Sequence, residues 1–148
     1  MNAEEFYELG CDYMNSHEFE LAIIEFSKAI NIREDGACYE NRGIAKSFCG
    51  DRLGAIEDFK KSIVISKINL EKDKMNSLLI QRDICASLFN LAFNQAVVND
   101  FKKAIENLKE CLIYFPTKES HLMPYQLEEI NLLKVQCESR LSISDKAK

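Results

Sequence analysis

Glycine and proline are scarce in this sequence, and tryptophan is absent. Of the 148 residues, five are glycine and two are proline, and all five glycines lie within the first 54 residues. Residues 55–115 contain neither residue type, which argues against a long loop there and favours continuous helix. The sequence also has no glycine-rich loop of the kind that binds phosphate groups.

No run of about 18 consecutive apolar residues occurs, so no membrane-spanning helix is predicted. The first five residues are acidic rather than basic and apolar, a pattern that does not predict export, and we expect a cytoplasmic location. Hydrophobic residues form 47% of the chain and charged residues 29%, as in folded globular domains. The formal charge is −5, from 19 basic and 24 acidic residues. The basic doublets Lys60-Lys61 and Lys102-Lys103 share their helices with acids, so they indicate solvated faces and no nucleic-acid or membrane partner.

The cysteines and histidines of the chain are not clustered. No Cys-x-x-Cys pair occurs, and His17 lies far from His121, whereas zinc sites bring such ligands close together in sequence. We therefore predict no metal and no cofactor. Most of the cysteines occupy positions where a helix pattern requires a small apolar residue, which favours free, buried thiols. They are Cys11, Cys38, Cys49, Cys85, Cys111 and Cys137.

A pattern of small and large apolar residues occurs three times. Each copy has a small residue in a first helix, then an alanine and, four residues later, a large apolar residue in a second helix. The sets are Gly10, Ala22 and Phe26; Gly43, Ala55 and Phe59; and Ala92, Ala104 and Leu108. Small residues are required where two helices cross closely, the large residue fills space between neighbouring pairs, and the pairs are expected to stack. Residues just before the second helices are expected to pack back on the first helices, namely Phe19, Leu53 and Phe101.

These copies resemble the tetratricopeptide repeat. The residues that carry the resemblance are Phe6-x-x-Leu9-Gly10-x-x-Tyr13 with Ala22-x-x-x-Phe26-x-x-Ala29, and Asn41-Arg42-Gly43 with Ala55-Ile56-x-Asp58-Phe59. The resemblance covers about residues 3–116 and implies an all-α fold, an α-solenoid of stacked antiparallel helix pairs with about seven helices. It departs from the pattern at Ser62 and Cys111, which replace alanine, and at Glu34 and Lys67, which replace a closing proline. A single domain over 1–148 is expected, with repeats at about 3–35, 36–70 and 73–116, a capping helix at about 123–141 and a frayed tail at 142–148.

The spacing of the copies is uneven. Ala22 and Ala55 are 33 residues apart, but Ala55 and Ala104 are 49 apart, so about 15 residues are added to a repeat of about 34. Apolar residues keep helical spacing across the addition. This predicts two helices lengthened by about two turns each, with a turn at residues 71–74. The predicted helices are 3–15, 18–33, 36–49, 52–70, 73–97, 100–115 and 123–141, with Pro116 ending the sixth and Pro124 in the first turn of the seventh.

In the family that the sequence resembles, the first helices of the pairs line a concave groove that binds a peptide. The resemblance places ten residues of this chain there, namely Tyr7, Cys11, Met14, Glu40, Asn41, Ile44, Phe48, Phe89, Phe93 and Ala96. The set is mostly apolar, which suits a hydrophobic or amphipathic segment. Members that clamp a terminal carboxylate have lysine, asparagine, asparagine, lysine and arginine at fixed groove positions. This chain has Tyr7, Cys11, Asn41, Ala86 and Asn90 there, so only Asn41 fits and a clamp is not expected.

The resemblance implies a protein-protein interaction scaffold or adaptor that binds an apolar or amphipathic segment of a protein or peptide partner of unknown identity. Two alternatives stay open, a self-associating structural subunit such as a homodimer and a small repeat-type chaperone for secreted proteins. The lengthened helices or the capping helix could also cover the groove residues and make them core. No enzyme is expected, because His17 has no indicated partner. The acids Glu18, Asp51 and Asp100 head second helices, where they favour the helix dipole.

Overall fold

The computed structural model of the chain describes residues 1–115 and 126–148. Within those residues the chain forms seven α-helices and no strand. They are α1 (Ala3–Asn15), α2 (Phe19–Ile32), α3 (Gly36–Phe48), α4 (Arg52–Lys72), α5 (Ser77–Val97), α6 (Phe101–Tyr114) and α7 (Leu127–Lys146). The predicted all-α fold is confirmed. Pro116 and Pro124, predicted to lie at the end of α6 and the start of α7, fall outside the described residues.

The chain divides into two compact units, Met1–Ile65 and Ser66–Lys148. The first unit holds α1 to α3 and most of α4, and the second holds the end of α4 with α5 to α7. The expectation of one domain over residues 1–148 stays a prediction.

Each of the three helix pairs turns at one residue with a left-handed backbone. These residues are His17, Gly50 and Asn99, with φ of 61°, 83° and 64°. In each turn the following residue donates its backbone N–H to the carbonyl oxygen five residues earlier, at 2.8 to 2.9 Å. This bond satisfies a carbonyl group at the end of the first helix. The three residues are 33 and 49 positions apart, as are the alanines of the sequence pattern, so the structure repeats in the same register as the sequence.

In the first unit, each helix pair crosses where a glycine faces a phenylalanine ring. A Cβ atom on Gly10 would lie 2.6 Å from Cε1 of Phe26, and one on Gly43 would lie 3.0 Å from Cε1 of Phe59. The predicted need for small residues at these crossings is therefore confirmed, because a methyl group would overlap the ring. Phe26 also packs in one cluster with Ala45 of α3, so it contacts both its own pair and the next one.

Helices α4 and α5 are longer than the other repeat helices. Each has 21 residues, whereas α1, α2, α3 and α6 have 13 or 14, so the predicted lengthening is confirmed. The turn between them lies at residues 73–76 instead of 71–74. Asp73 decides its place, because its Oδ1 accepts the backbone N–H groups of Met75 and Asn76 at 3.1 and 3.2 Å, a pattern that favours a turn. Glu71 and Lys72 are good helix formers and complete α4.

Helix α7 packs against α6 and buries Ile130 and Cys137. It continues to Lys146, so the expectation of a frayed tail over residues 142–148 is wrong for residues 142–146. Neither proline nor glycine interrupts this stretch. Lys146 lies in the last turn, where a cation interacts favourably with the helix dipole and supports the extra turn.

The six cysteines are free thiols in different environments. Four are buried and Cys11 is half-buried, but Cys49 is exposed at the end of α3, so the prediction of buried thiols is wrong for Cys49. In the second unit, the Sγ atoms of Cys85 and Cys111 lie 2.7 Å apart. Hydrogen bonding to Cys85, together with burial, raises the pKa of the Cys111 thiol, which keeps this sulfur protonated inside the α5–α6 pair.

Candidate functional site

Helices α1 and α3 in the first unit carry seven of the ten residues predicted to line a binding surface. Six of them are half-buried and one is exposed. The half-buried residues are Tyr7, Cys11, Met14, Glu40, Asn41 and Ile44, and the exposed residue is Phe48. The two helices meet where Nδ2 of Asn41 donates a hydrogen bond to the Tyr7 hydroxyl oxygen at 3.1 Å. The structure thus joins two of the predicted residues directly, and their binding of a peptide stays a prediction.

Tyr7 is a neutral hydrogen-bonding group on this surface. Its ring lies 5.9 Å from the ring of Phe26, measured between centroids. Burial, with a contribution from neighbouring Cys11, raises the pKa of Tyr7 to about 12. The phenol is therefore protonated at neutral pH, so it offers a ligand hydrogen bonds without charge.

Cys11 lies beside Tyr7 on the same helix face. Burial raises the pKa of the Cys11 thiol, and the carboxylates of Asp12, Glu4 and Glu8 raise it further. A nucleophilic cysteine has the opposite environment, with cations that lower its pKa. Glu4 forms an ion pair with Arg33 at 3.7 Å, while Glu8 and Asp12 are exposed on α1 and disfavour a negatively charged ligand group there.

Phe48 presents an aromatic ring at the end of α3. The ring stacks on Phe19, the first residue of α2, with the centroids 4.5 Å apart and the planes 8° from parallel. This contact holds the ring while the side chain stays 67% exposed. Phe19 was not predicted as a site residue, and the only signal for it was an aromatic residue at the head of α2.

An ionic cluster of Arg42, Lys46 and Asp58 joins α3 to α4 in the first unit. Asp58 is 3% exposed and accepts hydrogen bonds from Arg42 at 2.7 and 2.8 Å, with Lys46 at 2.8 Å. Arg42 also donates to the hydroxyl of Ser27 on α2 at 3.0 Å. Hydrogen bonding to Asp58 raises the pKa of Arg42. This cluster was not predicted from the sequence. It fixes α3, the helix that carries Asn41.

Helix α5 in the second unit carries the other three predicted residues. Phe89 and Ala96 are half-buried, and Phe93 is 44% exposed. Val97, which is 46% exposed, extends the row, because residues four apart lie on one helical face. Phe93 is therefore not part of the core of this unit. Val97 was missed, although an apolar residue one turn beyond Phe93 was a signal for it.

The described part of the chain, residues 1–115 and 126–148, contains no group of three or more histidine, cysteine, aspartate or glutamate side chains that could hold a metal ion. In the same residues, no helix has the length and apolar character needed to cross a bilayer. Lys60 and Lys103, from the two basic doublets, form ion pairs with Glu57 and Asp100 at 2.9 and 2.8 Å. These contacts agree with solvated helix faces.

Two solved structures have a similar arrangement of helices. The TPR2AB-domain:pHSP90-complex of yeast Sti1 aligns with a TM-score of 0.71 at 18% identity, over 97% of this chain and 48% of that chain. The TPR2B-domain:pHsp70-complex of yeast Sti1 aligns with a TM-score of 0.70 at 21% identity, over 93% of this chain and 97% of that chain. The chain has a tetratricopeptide-type fold. It spans about half the length of the first of these two structures, and its sequence matches no protein-family model and no curated protein.

Within this tetratricopeptide-type fold, the five positions compared with a carboxylate clamp are uncharged. Tyr7 and Cys11 are kept protonated by burial, and the Asn41 amide donates to Tyr7. Ala86 is buried, and Asn90 is half-buried on α5. None of the five is lysine or arginine. The three residues in the first unit can supply neutral hydrogen bonds, and none of the five carries the cation that a carboxylate requires.

Proposed function

We propose that this chain is a protein-binding module that holds an apolar or amphipathic peptide segment on the first helices of its repeats. The surface of α1 and α3 supports this proposal most strongly. There the neutral pair of Tyr7 and Asn41 shares helix faces with Met14 and Ile44, and α3 ends in the exposed ring of Phe48. Aromatic and apolar side chains that are partly exposed on one face are typical anchors for a bound segment.

The charges around this surface favour a partner segment that is uncharged or basic. Glu4, Glu8 and Asp12 act on Cys11, and Glu40 lies on α3 among the predicted residues. No lysine or arginine occurs among the ten predicted residues. The yeast Sti1 structures are complexes with pHSP90 and pHsp70. We propose that this chain shares their fold and holds a different kind of segment, without a terminal carboxylate as its anchor.

We further propose that the module is not an enzyme, acts in the cytoplasm and has neither a nucleic acid nor a membrane as its partner. The absence of catalysis is supported by the state of the two titratable groups at the centre of the surface. The pKa values of Tyr7 and Cys11 are both raised by burial, which is the reverse of what an activated nucleophile needs. The formal charge of −5 supports the absence of a nucleic-acid partner.

A matched pair of substitutions in the first unit tests the binding surface. Phe48 is 67% exposed on α3, and Leu53 is 69% exposed on α4, a second helix. Binding to an array of amphipathic peptides should weaken by about tenfold or more for Phe48→Glu and stay unchanged for Leu53→Glu, with both melting temperatures preserved. An equal loss in both variants would place binding elsewhere, and unfolding of Phe48→Glu would make the ring a structural element.

The same array tests the chemistry of the partner. Each peptide is presented with an amidated and with a free C-terminus, and with basic or acidic residues on either side of the apolar segment. We expect amidated, basic-flanked peptides to bind more tightly, because the edge of α1 is acidic. A consistent preference for a free, acidic C-terminus would contradict the proposal that this surface is not a carboxylate clamp.

The row on α5 has its own test in the second unit. Phe93→Glu changes an exposed residue in the predicted row, and Ile113→Glu changes a residue on α6 that is 79% exposed. A loss of peptide binding confined to Phe93→Glu would support a role for α5. Equal binding by both variants would limit the proposed surface to the residues of the first unit.

A further inference from the structure

Helix α7 has two different faces. One face packs against α6 and buries Ile130 and Cys137. The other carries Leu132, Val135 and Ile143, which are 58% to 61% exposed. Single exposed apolar residues are common on protein surfaces. Three on one face of one helix form a row that is suited to contact with another surface.

The exposed face of α7 has the residue spacing of a coiled-coil seam. Six exposed residues follow one another at intervals of four, three, four, three and four positions, namely Glu128, Leu132, Val135, Ser139, Ser142 and Lys146. This spacing keeps a seam directed at a partner helix along its whole length. The seam has an acid at its start, large apolar residues followed by small ones in its middle, and a base at its end.

We propose that α7 pairs with α7 of a second copy of this chain, in antiparallel orientation, and so forms a homodimer. When the two-fold axis passes at the level of residue 137, on the helix face opposite the buried Cys137 side chain, Val135 of each copy faces Ser139 of the other. Leu132 then faces Ser142. Large side chains then oppose small ones, which allows two helices to approach closely. At both ends Glu128 faces Lys146, so the two-fold symmetry forms two opposite-charge pairs.

A parallel orientation of the two helices forms neither the opposite-charge pairs nor the contacts between large and small side chains. A parallel pair would place Glu128 beside Glu128 and Lys146 beside Lys146, and like charges at short distance disfavour that arrangement. It would also oppose Leu132 to Leu132 and leave Ser139 against Ser139, with large and small layers separated. Charge therefore favours the antiparallel orientation, in which large side chains also oppose small ones.

The homodimer is expected to be reversible. A helix of 20 residues is about 30 Å long, and its seam contributes few large residues, so the contact is smaller than a standard stable interface. We expect a dissociation constant on the order of tens of micromolar. The pairing of α7 does not rest on peptide binding by α1 and α3, and the two can fail separately.

Sedimentation velocity of the full chain over about a hundredfold range of concentration tests the pairing. We expect a shift from monomer to dimer as concentration rises. Glu128→Lys and Lys146→Glu should each weaken the dimer by about tenfold, because each places like charges together at both ends. The combined variant Glu128→Lys/Lys146→Glu should restore it, since the opposite-charge pairs are formed again in reverse.

Apolar substitutions in the seam give a second, independent readout. Leu132→Glu/Val135→Glu should be monomeric with an unchanged helical signal, while the control Leu53→Glu should dimerise as the unchanged chain does. A chain that stays monomeric at every concentration overturns the proposal, and so does a dimer that none of the α7 variants weakens. If the combined charge reversal fails to restore the dimer, the antiparallel register is wrong.

Discussion

Within the second helix pair and within the third, the two helices contact each other at the same repeat positions but through different chemistry. In the second pair, Arg42 and Lys46 bind the carboxylate of Asp58. In the third pair, Gln95 and Asn107 stand 49 residues after Lys46 and Asp58, and Nδ2 of Asn107 donates to Oε1 of Gln95 at 2.7 Å. A polar contact between the two helices is thus kept while its charge is lost. The two pairs therefore share the position of this polar contact, which is ionic in the second pair and uncharged in the third.

In the first pair, the position of Asp58 again has a carboxylate, but the position of Arg42 has no arginine. Glu25 stands 33 residues before Asp58, and Leu9 stands 33 residues before Arg42, so no guanidinium is present at that place. Glu25 is 8% exposed, and its Oε1 accepts a hydrogen bond from Lys28 at 2.7 Å. Its Oε2 is buried and has no hydrogen-bond partner among the residues that the structure describes. Asp58, which faces the arginine, has both oxygens hydrogen-bonded, whereas in the described part of the chain Glu25 has only one.

Removing Asp58 should give the largest effect on stability. In Asp58→Ala, Arg42 and Lys46, whose side chains are 18% and 19% exposed, lose their counter-ion, and the free energy of unfolding should fall by about 3 to 5 kcal/mol. Urea unfolding measures this loss. The triple variant Arg42→Leu/Lys46→Gln/Asp58→Asn gives the second pair the residues of the third and should recover more than half of the loss. A triple variant as unstable as Asp58→Ala would show that the two contacts are not equivalent.

The next effect is expected at the glycine crossings. Gly10→Ala places a methyl group against the ring of Phe26 and should cost about 1 to 3 kcal/mol. Gly43→Ala should cost less, because its Cβ atom would lie 3.0 Å rather than 2.6 Å from the nearest ring atom. Thermal unfolding of the two variants gives the order. Equal stability of Gly10→Ala and the unchanged chain would show that the Phe26 ring moves aside at little cost.

Replacing Glu25 should have a smaller effect of the opposite sign. Glu25→Met removes a buried oxygen that has no partner among the described residues, and stability should rise by up to about 1 kcal/mol. The lost ion pair with Lys28 contributes little, because Lys28 is exposed. Urea unfolding of Glu25→Met and of Asp58→Ala compares the same repeat position in the first and second helix pairs. A clear loss of stability in Glu25→Met would indicate that water satisfies the carboxylate in solution.

A further effect, which appears only at high pH, is expected in the first unit. Burial raises the pKa of Tyr7 to about 12, whereas a tyrosine in the unfolded chain ionises near pH 10. Between about pH 10 and pH 12 the unfolded chain therefore loses this proton first, and stability falls as the pH rises. Tyr7→Phe should show a shallower decline when urea unfolding is repeated across that range. Identical declines in both proteins would contradict the raised pKa.

The repeat positions could be predicted from the sequence because their cause is local and periodic. Gly10 and Gly43 mark the crossings, and the spacing of the alanines gave both the helix pairs and the added length of α4 and α5. The turn after α4 was misplaced because the side chain of Asp73 decides it, and neighbouring Glu71 and Lys72 are compatible with either helix or turn.

Contacts between residues far apart in the chain could not be predicted from the sequence. Pairing of Arg42 with Asp58 requires the register of a helix hairpin, and stacking of Phe48 on Phe19 requires the approach of two pairs. Leu53 was expected to pack back on a first helix and is instead 69% exposed. The candidate site was therefore predictable as a set of positions through the family resemblance, while the hydrogen bonds and stacking within it required coordinates.

The exposed thiol at the end of α3 makes this protein convenient for optical work. Cys49 is the one exposed cysteine of the six, and it directly follows Phe48. A maleimide dye in brief, limiting reaction would attach there without any engineered residue, since the other thiols are buried or half-buried. The dye would sit next to the aromatic ring proposed to anchor a partner, so its brightness or anisotropy would report capture in real time.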